Sequence, residues 1–370
     1  MNTAKPDTTT PDIEALPGSR TARWIATLDP GYFAAVMATG IVSLGLRLLG
    51  QPILAGILLW VAGGAFVALV SAYSVRAVRY PRRVVADLRA PSSAVAYFTV
   101  VAGFDVLAVG LVAVGMWPVA LAIGLVAFAV WLMLTYGLFS SIVLAGNHPQ
   151  LREITGVWLV WVVGTQSIAV LAASLTPRVP WAWAPGVLSA TAILFWGVGV
   201  VLYFIFVVII FLRLFLIETT PKEMGPAYWI LMGATAISVR AAAGILDAGQ
   251  SDPTQLLREM RPFVVGLSMT MWSFGSWFIP LLVIFGLWRY FVRGYSWAYE
   301  PKLWSVVFPL GMYAVASVTL GRAIGFGFLV DLASVWIWFA VAAWVLVTGL
   351  LVVAYVVGLR RPPRAAAEDQ

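Results

Sequence analysis

Apolar runs of about 20 residues, repeated along nearly the whole chain, constrain this sequence more than any other feature. Each crossing of a bilayer core of about 30 Å needs about 20 apolar helical residues. Of the 370 residues, 62% are hydrophobic and only 11% are charged, whereas soluble domains carry roughly 25% charged residues. The sequence therefore predicts an all-α membrane protein that crosses the bilayer many times.

Breaks rich in proline, glycine and charge divide the apolar part of the chain into ten predicted transmembrane helices. These cover residues 30–49, 53–75, 94–115, 118–144, 154–175, 186–216, 227–247, 263–288, 303–325 and 332–358. Residues 1–29 and 359–370 flank this ten-span domain and are predicted to be disordered cytoplasmic tails. Residues 1–23 contain no apolar run of the signal-peptide type, so we expect no cleaved signal there.

Lysine and arginine are distributed unevenly between the two sides of the predicted membrane. Seventeen of the 23 lie on the side that holds both termini, five lie on the other side, and Arg240 lies inside a span. The positive-inside rule predicts that both termini are cytoplasmic, in a plasma (inner) membrane. The net charge of +7 then follows from topology and requires no nucleic-acid partner. Arg76 and its neighbours are expected to be solvated side chains that face anionic lipid.

Odd- and even-numbered spans differ in composition. The odd spans mix glycine, alanine, serine and threonine, as in MATGIVSLG at 37–45, whereas the even spans are bulky, as in VLYFIFVVIIFLRLFLI at 201–217. Small residues let helices approach closely in lipid. We therefore expect five helical hairpins around a pseudo-fivefold central pore, with the odd spans inside and the even spans facing lipid. Composition alone also fits a solid core in which the small residues merely pack.

Two motifs carry a resemblance to a known family. Pro30-Gly31-Tyr32-Phe33, followed by Met37-Ala38-Thr39-Gly40-Ile41-Val42-Ser43, resembles the first span of the tellurite-resistance/dicarboxylate transporter family, and Trp304–Met312 resembles its ninth span. Relatives include bacterial tellurite-resistance proteins, plant slow anion channels, and yeast malate and sulfite transporters. The resemblance covers residues 30–358 and implies five inner helices that are kinked near proline or glycine and line a pore. It also implies assembly as a homotrimer.

The resemblance further implies a gate, a phenylalanine of the ninth span that blocks the pore midway. The matching residue is Phe308, immediately before Pro309. Proline cannot donate the usual helical hydrogen bond, so a kink at Pro309 is physically reasonable. Without the resemblance, Phe308 is one apolar residue among 20 phenylalanines.

Two charged residues lie near the middle of predicted spans, Asp105 in span 3 and Arg240 in span 7. A charge at mid-bilayer costs about 2.5–3.5 kcal/mol even on the mildest scale, so each needs a partner or a purpose. Their depths differ by roughly 3 Å at 1.5 Å per residue. They fit an ion pair between inner helices. They also fit an anion site in which Arg240 is the cation and Asp105 limits its charge, because a guanidinium suits carboxylates and oxyanions.

Neutral polar residues of the odd spans are further candidates for the pore. Hydroxyl and amide donors can replace part of an anion's hydration without holding the anion too tightly for conduction. The alternative role is hydrogen bonding between helices, worth about 0.6 kcal/mol per bond on average. The candidates for pore lining and anion binding are Thr39, Ser43, Gln166 and Thr235.

The function favoured by these patterns is transport of a small inorganic anion or a C4-dicarboxylate such as malate. The alternative is a proton-coupled or exchanging carrier for dicarboxylate, sulfite or tellurite. An enzyme is not expected, because the chain has no cysteine and its one histidine, His148, lies in a polar break between spans. We expect no cofactor and no metal. A membrane scaffold or receptor would leave the alternation of spans unexplained.

Overall fold

The computed structural model describes residues 20–251 and 255–360. A short helix, Arg20–Ala26, precedes the membrane domain, so ordered structure begins before the predicted boundary at residue 30. Residues 1–19 and 361–370, which belong to the two predicted tails, lie outside the described residues.

Ten helices in the described part of the chain are long and apolar enough to cross a membrane. Spans 1 to 10 are Pro30–Leu48, Pro52–Arg79, Pro91–Ala113, Trp117–Val143, Gly156–Leu175, Ala184–Leu216, Pro226–Gly249, Glu259–Val292, Pro301–Ile324 and Gly327–Val357. Several begin with proline, whose missing N–H is unpaired in a first turn anyway. Before Pro30, the carboxylate of Asp29 accepts a hydrogen bond from the Gly31 N–H at 2.6 Å. The prediction of an all-α protein with ten membrane-spanning helices is confirmed.

Odd and even spans occupy different layers. In the most apolar windows of the odd spans, 72–94% of residues are buried, against 11–44% in the even spans. The odd spans therefore form the interior, and the bulky side chains of the even spans are directed outward toward the lipid.

The odd spans follow one another around a closed ring. Span 1 packs against spans 3 and 9, span 5 packs against spans 3 and 7, and span 7 also packs against span 9. Each even span packs against the odd span before it in the chain, which gives five hairpins. A fivefold symmetry relating these hairpins stays a prediction.

A glycine lies at each of the five interfaces of this ring. A Cβ atom on any of the five would come within 2.8–3.2 Å of an atom on the neighbouring inner span, which is closer than ordinary van der Waals contact. These helices therefore approach one another closely at positions where even a methyl group would require the neighbouring span to shift. The glycine and its neighbour are Gly40 and Val106, Gly164 and Phe98, Gly244 and Ala173, Gly233 and Pro309, and Gly311 and Ile41.

Tryptophans join each hairpin to the next. Five contacts between successive hairpins close the ring, the last of them between span 10 and span 1. At four of these five contacts, an indole N–H of an even span donates to an oxygen of the next odd span around the ring. The N–O distances are 2.9–3.1 Å. The pairs are Trp131 with Thr165, Trp196 with the carbonyl of Ser238, Trp272 with Ser317, and Trp344 with Thr39.

Three buried arginines fasten the loops at the predicted cytoplasmic face. Each lies near the end of an even span and pairs with an acid of the following loop. The pairs are Arg76–Asp87 at 2.7 Å, Arg213–Glu223 at 3.4 Å and Arg289–Glu300 at 3.0 Å. Arg76 and Arg213 also donate to the hydroxyls of Tyr97 and Tyr228 on the next odd span. The expectation of a solvated Arg76 is therefore wrong, because its side chain is buried in an ion pair.

Replacing Trp272 with phenylalanine removes the indole donor to Ser317 and keeps an aromatic ring. We expect the free energy of unfolding to fall by about 0.6 kcal/mol and at most by roughly 1.7 kcal/mol, as for other hydrogen bonds between membrane helices. Unfolding in detergent, followed by circular dichroism, measures the change. Trp277→Phe is the matched control, because Trp277 is 58% exposed on the same span. Equal losses in the two variants would contradict the role of the hydrogen bond.

Candidate functional site

A small cavity lies inside the ring and is lined by all five odd spans. Its lining includes Ile41 of span 1, Asp105 of span 3, Ser167 of span 5, Arg240 of span 7 and Met312 of span 9. We call it the inner cavity. Its volume of about 10 Å³ is close to the minimum that holds one water molecule. The centre of the ring is therefore nearly closed in this structure.

A second cavity lies where the odd spans begin, at the predicted cytoplasmic face. It too is lined by all five odd spans and has a volume of about 50 Å³. Its charged lining residues are Asp29 and Lys302, and its hydroxyl-bearing ones are Thr99 and Ser305. We call it the mouth cavity.

Phe308 lies between the two cavities. On span 9, Ser305 lines the mouth cavity and Met312 lines the inner cavity. Phe308 is three residues after the first and four before the second, and such spacings fall on one face of a helix. Its side chain is buried at 2% exposure. The same spacing places Ala102 of span 3 and Ala234 of span 7 at this level.

Pro309 lies inside the helix of span 9 and packs directly on span 7. A Cβ on Gly233 would lie 2.8 Å from Cγ of Pro309, so this contact requires glycine. A proline within a helix also removes the hydrogen bond to the carbonyl four residues earlier, here that of Ser305. The turn that carries Phe308 therefore lacks one of its usual restraints.

Asp105 and Arg240 line the same cavity, as their predicted depths implied, but the candidate ion pair is not formed. Oδ2 of Asp105 accepts a hydrogen bond from the Ser167 hydroxyl at 2.7 Å. Oδ1 is buried and has no hydrogen-bond partner among the described residues. Arg240 instead extends toward the far ends of spans 5 and 7, where Nη2 donates to Ser174 Oγ at 3.4 Å and Nη1 lies against Gly244. The Arg240 side chain runs along span 7, and its guanidinium group is therefore directed away from the Asp105 carboxylate.

The four neutral candidates do not line either cavity, which corrects the prediction that they lie on the pore face. Each is directed toward an even span, where its polar group is bonded or packed inside a helix interface. Thr39 accepts from Trp344, Ser43 donates to the Ala55 carbonyl at 2.7 Å, Gln166 donates to the Trp196 carbonyl at 3.2 Å, and Thr235 packs on Gly275. The contacts of Thr39, Ser43 and Gln166 match the alternative role of hydrogen bonding between helices. The Thr235 hydroxyl donates to the Met232 carbonyl of its own helix.

Ser167, which lines the inner cavity, belongs to the polar residues of span 5 that the sequence places in the interior. Ser305 and Lys302 line the mouth cavity and were not among the sequence candidates. They can be identified only once one residue of span 9 is known to face the ring axis. Counting three residues back from Phe308 then identifies Ser305, and counting four residues forward identifies Met312. Lys302 follows as the basic residue at the start of the same helix.

Ten spans with cavities enclosed by an inner ring of five, and a buried arginine in one of them, define a membrane transport protein. The chain belongs to the voltage-dependent anion channel family, whose sequence model matches residues 27–352. This match confirms the resemblance to the tellurite-resistance/dicarboxylate transporter family. The chain is therefore a member of a family of membrane anion channels and transporters.

Several proteins of known sequence are similar to this chain. An uncharacterized membrane protein of Mycobacterium tuberculosis is 39% identical over 132 residues, which make up 36% of this chain and 66% of that protein. Two uncharacterized transporters of Methanocaldococcus jannaschii are each 25% identical, over 82% and 79% of this chain. These alignments cover 87% and 83% of the two archaeal proteins.

Replacing Gln166 with leucine tests its placement in a helix interface. The change removes the bond to the Trp196 carbonyl, so we expect the free energy of unfolding to fall by about 0.6 kcal/mol. The order of anion permeabilities should stay the same, because the side chain does not line the cavities. Reconstituted vesicles with a panel of anions measure that order. A changed order of anion permeabilities in a stable Gln166→Leu protein would contradict this placement and indicate that Gln166 lines the passage.

Proposed function

We propose that this protein conducts anions along the axis of the inner ring, from the mouth cavity past Phe308 to the inner cavity. The observation that carries the proposal is the pair of cavities, each lined by all five odd spans. A ring that served only to pack helices would not need hydroxyl, carboxyl and guanidinium groups facing its own interior. Membership of an anion channel family agrees with this function.

Selectivity for anions is assigned to Arg240 and Lys302. Arg240 brings a positive charge into the inner cavity, and its Nε has no hydrogen-bond partner among the described residues. Asp105 lines the same cavity, where one of its oxygens is bonded by Ser167, and it is not paired with the arginine. A permeating anion would supply the missing contact, and a single guanidinium would keep that contact weak enough for release. Lys302 would attract anions at the mouth.

Phe308 is proposed as the gate and Pro309 as the element that lets it move. The gate role is supported by the position of Phe308 on span 9, between Ser305 of the mouth cavity and Met312 of the inner cavity, and by the small volumes of both cavities. The hydrogen bond lost at Pro309 weakens the turn beneath the ring of Phe308. A small rotation of this turn, or a change of the Phe308 side-chain rotamer, would join the two cavities.

The proposed substrate is a small inorganic anion or a C4-dicarboxylate such as malate. One guanidinium with two hydrogen-bonding edges suits both classes. We further propose a homotrimer in the plasma (inner) membrane, with both termini cytoplasmic. The excess of basic residues on the terminal side supports this orientation, and the resemblance to trimeric family members supports the assembly.

A carrier that couples anions to protons or exchanges them is the second candidate, with dicarboxylate, sulfite or tellurite as substrate. The observation that favours it is Oδ1 of Asp105, a buried carboxylate oxygen without a partner among the described residues, in the same cavity as Arg240. Protonation there would accompany an anion. Single-channel recording in planar bilayers separates the candidates, because discrete openings exclude a strictly alternating carrier.

Replacing Phe308 with alanine should raise anion flux, because it removes the ring between the two cavities. If open states are populated at about 0.1–10% in the native protein, the increase is about tenfold or more. Efflux from liposomes loaded with anions measures it. Phe278→Ala is the matched control, since Phe278 is fully buried but lies on span 8 outside the ring. If a folded Phe308→Ala protein showed the same anion flux as the native protein, Phe308 would not be the gate.

Replacing Arg240 with glutamine should lower the preference for anions over cations by about tenfold, the effect of one charge-assisted hydrogen bond. Arg240→Lys should restore part of it, because lysine keeps the charge but not the two-edged geometry. Reversal potentials in asymmetric salt measure this preference. Arg178→Gln, on an exposed loop, controls for the net charge. Equal changes in the Arg240 and Arg178 variants would contradict a site at Arg240.

A further inference from the structure

A third cavity lies outside the ring, near the predicted cytoplasmic ends of spans 7 to 10. Its volume is about 300 Å³, which is at the lower end of ligand sites. Its walls include Tyr228 of span 7, Phe285 and Gly286 of span 8, Leu303 of span 9 and Val347 of span 10. Spans 8 and 10 have at most marginal contact in the part of the chain that is described, so the cavity lies at a crevice that faces lipid.

Arg289 is the charged residue in this otherwise apolar lining. Its side chain is 2% exposed, and its Nη2 donates to Glu300 at 3.0 Å. The guanidinium lies 3.9 Å from the ring centroid of Tyr295. Within the described residues, Nε and Nη1 have no hydrogen-bond partner. Buried guanidinium groups are normally bonded at most of their donors, so two free edges at a cavity indicate that a partner is missing.

The backbone around Arg289 is irregular. Residues Trp288–Val292 form a π-helical turn at the end of span 8, and such turns occur frequently at functional sites. Residues 288–302 contain three basic side chains, Arg289, Arg293 and Lys302, against the single acid Glu300. Glu300 offsets Arg289, so the surplus positive charge of this segment comes from Arg293 and Lys302, and positive segments at the depth of phospholipid headgroups attract anionic lipids.

We propose that this cavity binds an anionic glycerophospholipid of the predicted cytoplasmic leaflet. The acyl chain lies against the apolar walls between spans 8 and 10, and the phosphate accepts hydrogen bonds from Nε and Nη1 of Arg289. A zwitterionic lipid fills the same walls, but its own cationic group competes with the arginine for the phosphate. The lipid is therefore selected by the charge of its headgroup.

The cavity also contacts the helix that carries the proposed gate. Leu303 and Val306 line it, and they lie five and two residues before Phe308 in span 9. Bound lipid therefore holds the first turns of this helix in place. This second step, regulation of anion flux by lipid, rests on the proposed function, whereas lipid binding does not.

Native mass spectrometry of the delipidated protein tests binding, with phosphatidylglycerol and phosphatidylcholine of identical acyl chains as probes. We expect about a tenfold preference for phosphatidylglycerol, and its loss in Arg289→Gln. Gly286→Phe should abolish binding of both lipids, because Gly286 lines the cavity and an added Cβ meets no atom within 4 Å. Inorganic phosphate should not displace the lipid, since it has no acyl chain.

Two variants serve as controls. Gly266→Phe adds the same side chain to span 8 at another open position, away from the cavity, and should keep lipid binding. Glu300→Gln breaks the ion pair but keeps Arg289, and it should keep the preference for phosphatidylglycerol. Equal binding of the two lipids by the native protein would overturn the proposal. So would a preference that survives in both Arg289→Gln and Gly286→Phe.

Anion flux in vesicles with and without phosphatidylglycerol tests the regulatory step. Flux through the native protein should depend on this lipid, and flux through Gly286→Phe should not. A lipid dependence that persists in Gly286→Phe would overturn regulation through this cavity. A native protein that binds phosphatidylglycerol but conducts no anion would contradict the proposed function and leave the lipid site supported.

Discussion

Close approach of the five inner spans is the constraint on which the rest of the structure depends. Each of their interfaces contains a glycine at which an added Cβ atom would lie closer to the neighbouring span than ordinary van der Waals contact. This spacing brings Asp105, Ser167 and Arg240, from three different spans, to one cavity at the axis. It also seats Pro309, the residue after Phe308, against Gly233. Because membrane helices gain no hydrophobic energy by associating, such tight packing has to supply much of the attraction.

Most polar groups of the inner spans form contacts with other helices, so few of them face the axis of the ring. Hydroxyls such as Thr39 and Thr165 accept from tryptophans of the preceding hairpin, and Gln166 bonds to a carbonyl of span 6. The interior of the ring is left mainly apolar. In the conduction proposed above, a narrow apolar passage with one arginine would resist ions strongly until it widened.

The sequence predicts well which spans are inner and which are outer. It predicts poorly which residues of the inner spans face the ring axis. Hydropathy locates ten spans, and composition separates inner from outer, because lipid contact and helix contact select different side chains. Depth along the spans correctly places Asp105 and Arg240 at one cavity. Which face of an inner span meets the axis cannot be seen, because 94% of residues are buried in the window of span 5 and no polar face breaks the pattern. The pairing of Arg76 with Asp87 likewise depends on how a loop folds back.

The bond between Trp344 and Thr39 joins the last span to the first, and the contact between Gly311 and Ile41 closes the inner ring. The order of hairpins around the ring is thus their order of synthesis. In a chain that inserts during synthesis, the first four hairpins enter the membrane before spans 9 and 10, which contact span 1, have been made. During that interval the ring is an open arc whose inner surface, with Asp105 and Arg240, lacks its final wall. Biogenesis of this protein therefore includes a stage in which Asp105 and Arg240 lie on a surface that the fifth hairpin has not yet covered.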